Sequence, residues 1–193
     1  MARPREFSTD QALEQAMQVF WSKGYKGTSL HDLTDAMGVS KSSFYEAFGS
    51  KHELFLAAIR RYEDTVVEGL VRFFRGAESG RAAIDAAFEK VVECAGAPDD
   101  RRGCFLVNCA SEVSVHDPQA AARVREGLRR VEQAIHGAVV RGQEAGEIPG
   151  DRDAWALARY LATSLNGLRL RAKANPDRAA LEDVVRITLS ALE

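Results

Sequence analysis

The chain has 193 residues, of which 46% are apolar and 28% are charged, and its formal net charge is −2. This length allows one domain or a small domain joined to a larger one, and the apolar content excludes a wholly disordered chain. No stretch without Asp, Glu, Lys or Arg exceeds nine residues, whereas a membrane span needs about 20 apolar residues. The sequence therefore predicts a protein that does not cross a membrane.

Cysteine content and the first residues bear on the compartment. The start, Met-Ala-Arg-Pro-Arg-Glu, contains no apolar segment of the length of a secretory signal. The chain has three cysteines, and an odd number argues against a disulfide framework in which every cysteine is paired. We therefore expect a cytoplasmic protein. Because acidic and basic residues nearly balance, any binding of nucleic acid is expected to be local.

Apolar residues recur at helical spacing along the chain, and no run alternates strictly between apolar and polar residues as a half-buried strand would. The sequence therefore predicts an all-α fold of about nine helices. The predicted helices are Thr9–Lys23, Ser29–Met37, Ser40–Phe48, a long helix that starts at the capping box Ser50–Glu53, Ser79–Ala95, Gly103–Val115, Pro118–Gly146, 151–173 and 177–192. The long fourth helix has one predicted apolar stripe, made of Phe55, Ile59, Tyr62, Val66, Leu70 and Phe73.

Two short predicted helices near the N-terminus are joined by Gly38-Val39-Ser40. A tight turn that contains glycine sets the second helix across the first, which is the arrangement of a helix-turn-helix. The surrounding stretch, GYKGTSLHDLTDAMGVSKSSFYEAFGSKHELF (24–55), resembles the head of TetR-type (TetR/AcrR) transcriptional regulators. The match covers roughly residues 8–60.

The resemblance implies a homodimeric repressor that binds a palindromic operator in double-stranded DNA and responds to a small-molecule effector. It divides the chain into a three-helix DNA-binding head, residues 1–50, and a larger helical body for ligand binding and dimerisation, residues 51–193, bridged by the fourth helix. Arg3 and Arg5 are expected either to enter a minor groove or to form a disordered start. One alternative is a helical interaction protein that uses the head for protein contacts. A third interpretation is a helical enzyme with a cysteine nucleophile.

The second helix of the pair, Ser40–Phe48, is the expected recognition helix, and its first side chains should reach base edges. A lysine there can reach guanine or phosphate, while small hydroxyls allow close approach. Thr28 and Ser29 lie where free helix amides bind phosphate. The residues predicted to contact DNA are Thr28, Ser29, Lys41, Ser42, Ser43, Tyr45 and Lys51. The last two are included because the resemblance implies that they clamp the DNA backbone.

The sequence contains none of the phosphate-loop, dinucleotide-binding, nucleophile-elbow or zinc-protease motifs. Its cysteines and histidines lack the short spacing that is typical of metal ligands. We therefore expect no catalytic residues, no cofactor and no metal.

The resemblance places the effector site between the fifth and eighth predicted helices. The candidates are Cys104, Phe105, Asn108, Glu112, Trp155, Asn166 and Lys173, and Phe88, Cys109, Tyr160 and Arg169 lie on the same helices. Cys104 starts a predicted helix and follows Arg101 and Arg102, an arrangement that favours a reactive thiolate. The Gly-Cys pair also resembles a TetR-type branch that responds to electrophiles or oxidants, with Lys173 as the implied neighbour of the thiolate. The alternative is that this cysteine is a small apolar filler.

The last two predicted helices are apolar on more than one face, so they need more cover than a single partner helix provides. By resemblance to a four-helix dimer interface, the predicted interface residues are Leu161, Leu165, Leu168, Val184, Val185, Thr188 and Leu192. The alternative is that both helices are buried within a monomer.

Overall fold

The computed structural model describes residues 8–97 and 102–193, and these residues contain nine helices and no strand. The helices are α1 (Thr9–Lys23), α2 (Leu30–Met37), α3 (Lys41–Phe48), α4 (Lys51–Tyr62, a π-helical segment Glu63–Val67, and Glu68–Gly76), α5 (Gly80–Cys94), α6 (Phe105–Glu112), α7 (Pro118–Glu144), α8 (Ala154–Ala174) and α9 (Arg178–Leu189, followed by the 3-10 turn Ser190–Leu192). The all-α prediction is confirmed. Arg3, Arg5 and Arg101 lie outside the described residues.

Serine caps fix the starts of the short head helices. The Ser29 hydroxyl accepts a hydrogen bond from the Asp32 amide at 3.1 Å, and the Asp32 carboxylate accepts one from the Ser29 amide at 2.8 Å. Ser40 caps α3 by accepting from the Ser43 amide at 3.1 Å. Gly38 ends α2 with a φ of 65°, which glycine adopts without steric cost, so α3 can follow after a tight turn.

Aromatic side chains join the head to the body. Phe55 on α4 is 1% exposed, and its ring centroid lies 5.2 Å from that of Phe20 on α1 and 4.6 Å from that of Tyr25. Its third aromatic neighbour, Phe105, starts α6 in the body at 6.2 Å. The apolar cores of head and body are therefore continuous around Phe55.

The long helix α7 runs through the body and contacts α4, α5, α6 and α8. Its contact with α5 is especially close, because a Cβ atom at Gly80 would overlap the backbone carbonyl of Ala138. Only glycine therefore allows α5 to start directly against α7.

The π-helical segment changes which face of α4 is buried. Before it, the predicted stripe is correct, since Phe55, Ile59 and Tyr62 are buried. From the segment onward the prediction is wrong: Val66, within it, is 40% exposed, and Phe73, after it, is 44% exposed. The buried residues are instead Val67, Val71 and Phe74. The π turn holds one more residue than an α turn, so the buried positions move on by one along the sequence.

The predicted dimer residues on α8 and α9 face the core of their own chain. Leu161, Leu165, Leu168, Val185, Thr188 and Leu192 are each at most 8% exposed, and Val184 is half-buried. For the six buried residues the assignment to a dimer interface is therefore wrong, because the packing within this chain already covers them, and the assignment of half-buried Val184 stays a prediction. The outer face of the two helices carries Tyr160, Leu170 and Ile187, which are 43%, 54% and 60% exposed.

Across the described ranges, no helix combines the length and apolar character that a membrane span requires.

Candidate DNA-binding head and effector cavity

The start of α3 is open to solvent. Lys41, Ser42 and Tyr45 are exposed, and Ser43 is half-buried. The Ser40 hydroxyl lies 2.8 Å from that of Ser42 and 3.0 Å from that of Ser43, so the three form one cluster at the helix start. Tyr45 exposes 54% of its surface although its ring packs edge-on against Phe44. This end of α3 therefore offers a cation, hydroxyls and a phenol on one accessible surface.

Thr28 and Ser29, which were both predicted to bind phosphate at the start of α2, differ in their exposure. Thr28 is 2% exposed, and its hydroxyl donates to the Gly24 carbonyl at 2.6 Å. Its side chain therefore orients the turn and does not reach DNA, which corrects the prediction. Ser29 is exposed, but its hydroxyl donates to the Asp32 carboxylate at 2.6 Å. That carboxylate is held by Lys23 at 2.5 Å.

Lys51, at the start of α4, lies beside the turn between α1 and α2. Its ammonium sits 4.4 Å from the centroid of the Tyr25 ring, within the range of a cation–π contact. Because Tyr25 belongs to the turn that leads into α2, this contact places the Lys51 ammonium beside that turn.

A cavity of about 650 Å³ lies inside the body. Pockets of 300–1,000 Å³ are typical of small-molecule sites. Its walls are apolar over most of their extent and come mainly from α4, α5, α6, α7 and α8, with Trp21 of α1. The apolar wall residues include Val66, Leu70, Phe73, Ala87, Val91, Leu106, Leu128 and Val131. Polar groups enter it at Tyr62, Cys104, Asn166 and Arg169.

Of the predicted effector residues, Cys104 and Asn166 line this cavity, and so does Arg169. The other five candidates do not line it, which corrects the assignment of Phe105, Asn108, Glu112 and Trp155. Lys173 lies beside Gly103, the residue before Cys104, so its place near the thiol stays a prediction. Phe105 packs in the aromatic joint, and Trp155 stacks on His136 with ring centroids 3.9 Å apart. The Asn108 amide donates to the Arg102 carbonyl, and its oxygen accepts from Lys173 at 3.3 Å. Glu112 binds the backbone of the turn after α1 in the head.

Cys104 is 8% exposed and is the residue before α6. The Tyr62 hydroxyl donates a long hydrogen bond to its sulfur at 3.8 Å. Burial raises the pKa of Tyr62 above its usual range, so the phenol stays protonated and keeps its donor. Cys94 also lines the cavity and is less buried than Cys104, whereas Cys109 does not line it. Burial, with the nearby Glu112 charge, raises the pKa of the Cys109 thiol, which makes it a poor nucleophile.

Sequence reasoning missed Trp21, which belongs to the head but lines the cavity. Its indole N–H donates to the Gly103 carbonyl at 3.0 Å, next to Cys104. The Arg102 guanidinium stacks over the same indole at 4.2 Å, and it also donates to the Gln18 side chain. Nothing in the local pattern of α1 distinguishes Trp21 from an ordinary core residue. The turn that carries Cys104 therefore touches α1 directly.

Two further polar contacts join head and body. The Glu112 carboxylate at the end of α6 accepts from the Tyr25 amide at 2.9 Å and from the Lys26 amide at 2.6 Å. His52 on α4 lies 2.8 Å from Asp117, which caps α7. Each contact connects a residue of the head or of the start of α4 to one end of a body helix.

The contact between Asp117 and His52 gives a test at acid pH. Burial raises the pKa of Asp117, but hydrogen bonds from the Ala120 amide and from His52 outweigh it, so the pKa lies below its usual value. A lowered native pKa contributes stability above the ordinary aspartate pKa of about 4, and that contribution is lost as the pH falls through the native value. We expect Asp117→Asn to flatten the decrease in thermal stability below about pH 4. Exposed Asp183→Asn is the control, and equal profiles for parent and Asp117→Asn would contradict the expectation.

The comparisons with known proteins agree with this geometry. Residues 12–58 match the family "Bacterial regulatory proteins, tetR family", and residues 80–188 match "Tetracyclin repressor-like, C-terminal domain". The chain belongs to the TetR family. It is a DNA-binding transcriptional regulator and not an enzyme.

Full-length relatives support the same assignment for this TetR-family chain. It is 34% identical to the uncharacterized HTH-type transcriptional regulator YezE of Bacillus subtilis strain 168, over 100% of both chains. It is 30% identical to the HTH-type transcriptional repressor ComR of Escherichia coli strain K12, over 96% of this chain and 87% of ComR. A cysteine-substituted CifR, a TetR family transcriptional regulator solved with 26 bp double-strand operator DNA, is 31% identical with a TM-score of 0.83 over 100% of both chains.

Proposed function

We propose that this TetR-family chain is a homodimeric repressor that binds a palindromic operator through α3 and leaves it when an effector occupies the body cavity. Residues 1–50 would act as the DNA-binding head and residues 51–193 as the effector-binding and dimerisation body. The observation that supports this proposal most directly is the position of Trp21. Because it belongs to α1 and also lines the cavity, an occupant of the cavity contacts the head itself.

The operator is the first thing to establish. Genomic fragments captured by the purified protein would be sequenced, and a shared palindrome would identify the site. Fluorescence anisotropy on that duplex and on a scrambled duplex would then give specific and non-specific affinities at a fixed salt concentration. Equal affinity for the two duplexes would contradict the proposal.

Substitutions on the head should separate base recognition from phosphate binding. Lys41→Ala should reduce discrimination at one base pair by about 1–3 kcal/mol, because a lysine at the start of a recognition helix reads guanine. Tyr45→Phe and Lys51→Ala should weaken selected and scrambled duplexes alike, because phosphate contacts carry no sequence information. The measurement is anisotropy on a set of single-base operator variants. Lys90→Ala on the body is the matched control, and loss of discrimination with that variant would contradict the assignment.

We further propose that the effector is a thiol-reactive electrophile or an oxidant that modifies Cys104. Three observations support this: the sulfur lines the cavity, the preceding residue binds Trp21 on α1, and the CifR relative was studied with its cysteines replaced. An adduct on the sulfur would add bulk beside that contact. A coupling free energy of about 1–3 kcal/mol between the two sites would weaken operator binding about 5–150-fold.

The expected result is that N-ethylmaleimide releases the parent protein from its operator and does not release Cys104→Ser. Adducts would be mapped by mass spectrometry, and operator affinity would be titrated before and after treatment. Cys94→Ser is the stringent control, since Cys94 lines the same cavity and is less buried. If Cys104→Ser responds as the parent does, or if Cys94 carries the releasing adduct, Cys104 is not the sensor.

A further inference from the structure

We propose that the body cavity binds an amphipathic monoanion, a molecule with an apolar chain or ring and one carboxylate, whose charged group lies at Arg169. The inference rests on the proposed function only in taking this cavity as the effector site.

The polarity of the cavity is uneven. Most of its wall is apolar, from residues such as Leu70, Leu106 and Val131. The apolar part of a ligand is stabilised there in proportion to the surface that it removes from water. A cavity of about 650 Å³ is large enough to bury such a body nearly completely. The apolar wall alone therefore favours an apolar ligand but does not fix the orientation of that ligand in the cavity.

Orientation comes from a cluster of donors at one part of the wall. Tyr62 and Cys104 are 3% and 8% exposed, so water reaches little of either side chain. Asn166 and Arg169, one turn apart on α8, are half-buried and line the cavity beside them. We call Tyr62, Asn166 and Arg169 the donor cluster, since they offer a phenol, an amide and a guanidinium.

Among the residues that the structure describes, the guanidinium of Arg169 lacks a counterion. Within residues 8–97 and 102–193 it makes neither a hydrogen bond nor an ion pair, whereas Arg159 on the same helix pairs with Glu132 at 3.4 Å. A partly buried guanidinium loses hydration without compensation until an anion binds it. Its planar fork matches a carboxylate in a bidentate pair, which is stronger than a neutral hydrogen bond. The Tyr62 hydroxyl can add a donor, because its present hydrogen bond to sulfur is long.

The rim of the cavity limits the charge of the ligand. The exposed rim on α5 carries Glu89, Lys90 and Glu93, and the lysine lies 3.4 Å from the Glu93 carboxylate. Two carboxylates against one ammonium repel a polyanion such as a nucleotide or a coenzyme thioester at the entrance. One arginine inside and a net acidic rim together fit a ligand with a single negative charge.

Three probes of equal chain length test the proposal: decanoate, decanol and decylamine, each below its micelle concentration. Binding to the full chain at neutral pH would be measured by isothermal titration calorimetry. Decanoate should bind at least about tenfold more tightly than decanol, and decylamine should bind more weakly still. Arg169→Gln should remove the preference for decanoate and leave decanol binding unchanged, while Arg169→Lys should restore part of it. Arg159→Gln, on the same helix, should behave as the parent does.

Equal binding of decanoate and decanol, an unchanged preference in Arg169→Gln, or no binding of decanoate would each overturn the proposal. Decanol binding and circular dichroism report whether Arg169→Gln has folded. If Arg169→Gln has not folded, the affinities of the parent and of Arg169→Lys for decanoate and decanol decide the test. Operator release by decanoate is measured separately by anisotropy. Binding through Arg169 without release would leave this inference standing and count against the part of the proposed function in which occupancy of the cavity alone releases the operator.

Discussion

Replacing Phe55 with alanine should lower the free energy of unfolding by about 3–5 kcal/mol, as expected for a fully buried phenylalanine. The ring is 1% exposed and packs against Phe20, Tyr25 and Phe105, which belong to α1, the turn after it and α6. The lost volume therefore lies where the head meets the body, and little can move in to fill it. Denaturation in urea, followed by circular dichroism, measures the change.

The matched control is Phe73→Ala, on the same helix but 44% exposed. We expect a cost of less than about 1 kcal/mol there, because nearly half of that residue's surface is already exposed in the folded chain. The continuous core also predicts that Phe55→Ala unfolds in one transition, with operator binding and helicity lost together. A smaller effect than that of Phe73→Ala, or a head that melts separately, would show that the aromatic joint does not unite the two parts.

A glutamate at Ile187 or Leu170 should convert the proposed dimer to a monomer and weaken operator binding by at least about 100-fold. Both side chains are more than half exposed on the outer face of α8 and α9, so a charge there leaves the monomer intact. In a dimer the same charge would be buried without a partner. Two linked heads bind far more tightly than one, because the second contact is intramolecular.

Light scattering gives the mass of each variant, and anisotropy on the palindrome gives its affinity. Val115→Glu replaces another exposed apolar residue, 85% exposed at the turn before α7, and should change neither. A parent protein that is monomeric at micromolar concentration would contradict the proposed dimer. A dimeric Ile187→Glu would show that the interface lies on another surface.

The head could be predicted closely from the sequence because its boundaries are set by local chemistry. The bounds of α1 agree with the prediction, and Ser29, Ser40 and Ser50 cap the helices that they were expected to start. Each of these signals acts within four residues, through a hydroxyl or a glycine. No knowledge of the tertiary packing is needed to read them.

The burial pattern of α4 could not be predicted in the same way. From the end of the π-helical segment onward the apolar residues occur as neighbouring pairs, Val66-Val67, Leu70-Val71 and Phe73-Phe74. Either member of each pair satisfies helical spacing, so the pattern fits two registers equally well. Only the packing against α7 selects the second member of each pair.

The effector residues were misplaced for a related reason. Phe105, Asn108 and Glu112 share one face of α6 by their spacing, and that face turns toward the head and the end of α8. Leu106, on another face, lines the cavity instead. The sequence identifies α6 as a wall but does not say which side is the inside. The apolar faces of α8 raised the same ambiguity for the dimer.

The π-helical segment also bears on how this chain tolerates changes in length. The buried residues before the π turn are Phe55, Ile59 and Tyr62. If one is subtracted from the residue numbers of Val67, Val71 and Phe74, these three continue the same helical spacing, as they would in an unbroken α-helix. A π turn is thus the way in which α4 accommodates one additional residue while its buried side chains keep their places. In evolutionary terms, the loss of a single codon here would turn the π turn into an α turn and would change the length of the connecting helix and the exposed wall of the cavity. The core between head and body stays the same.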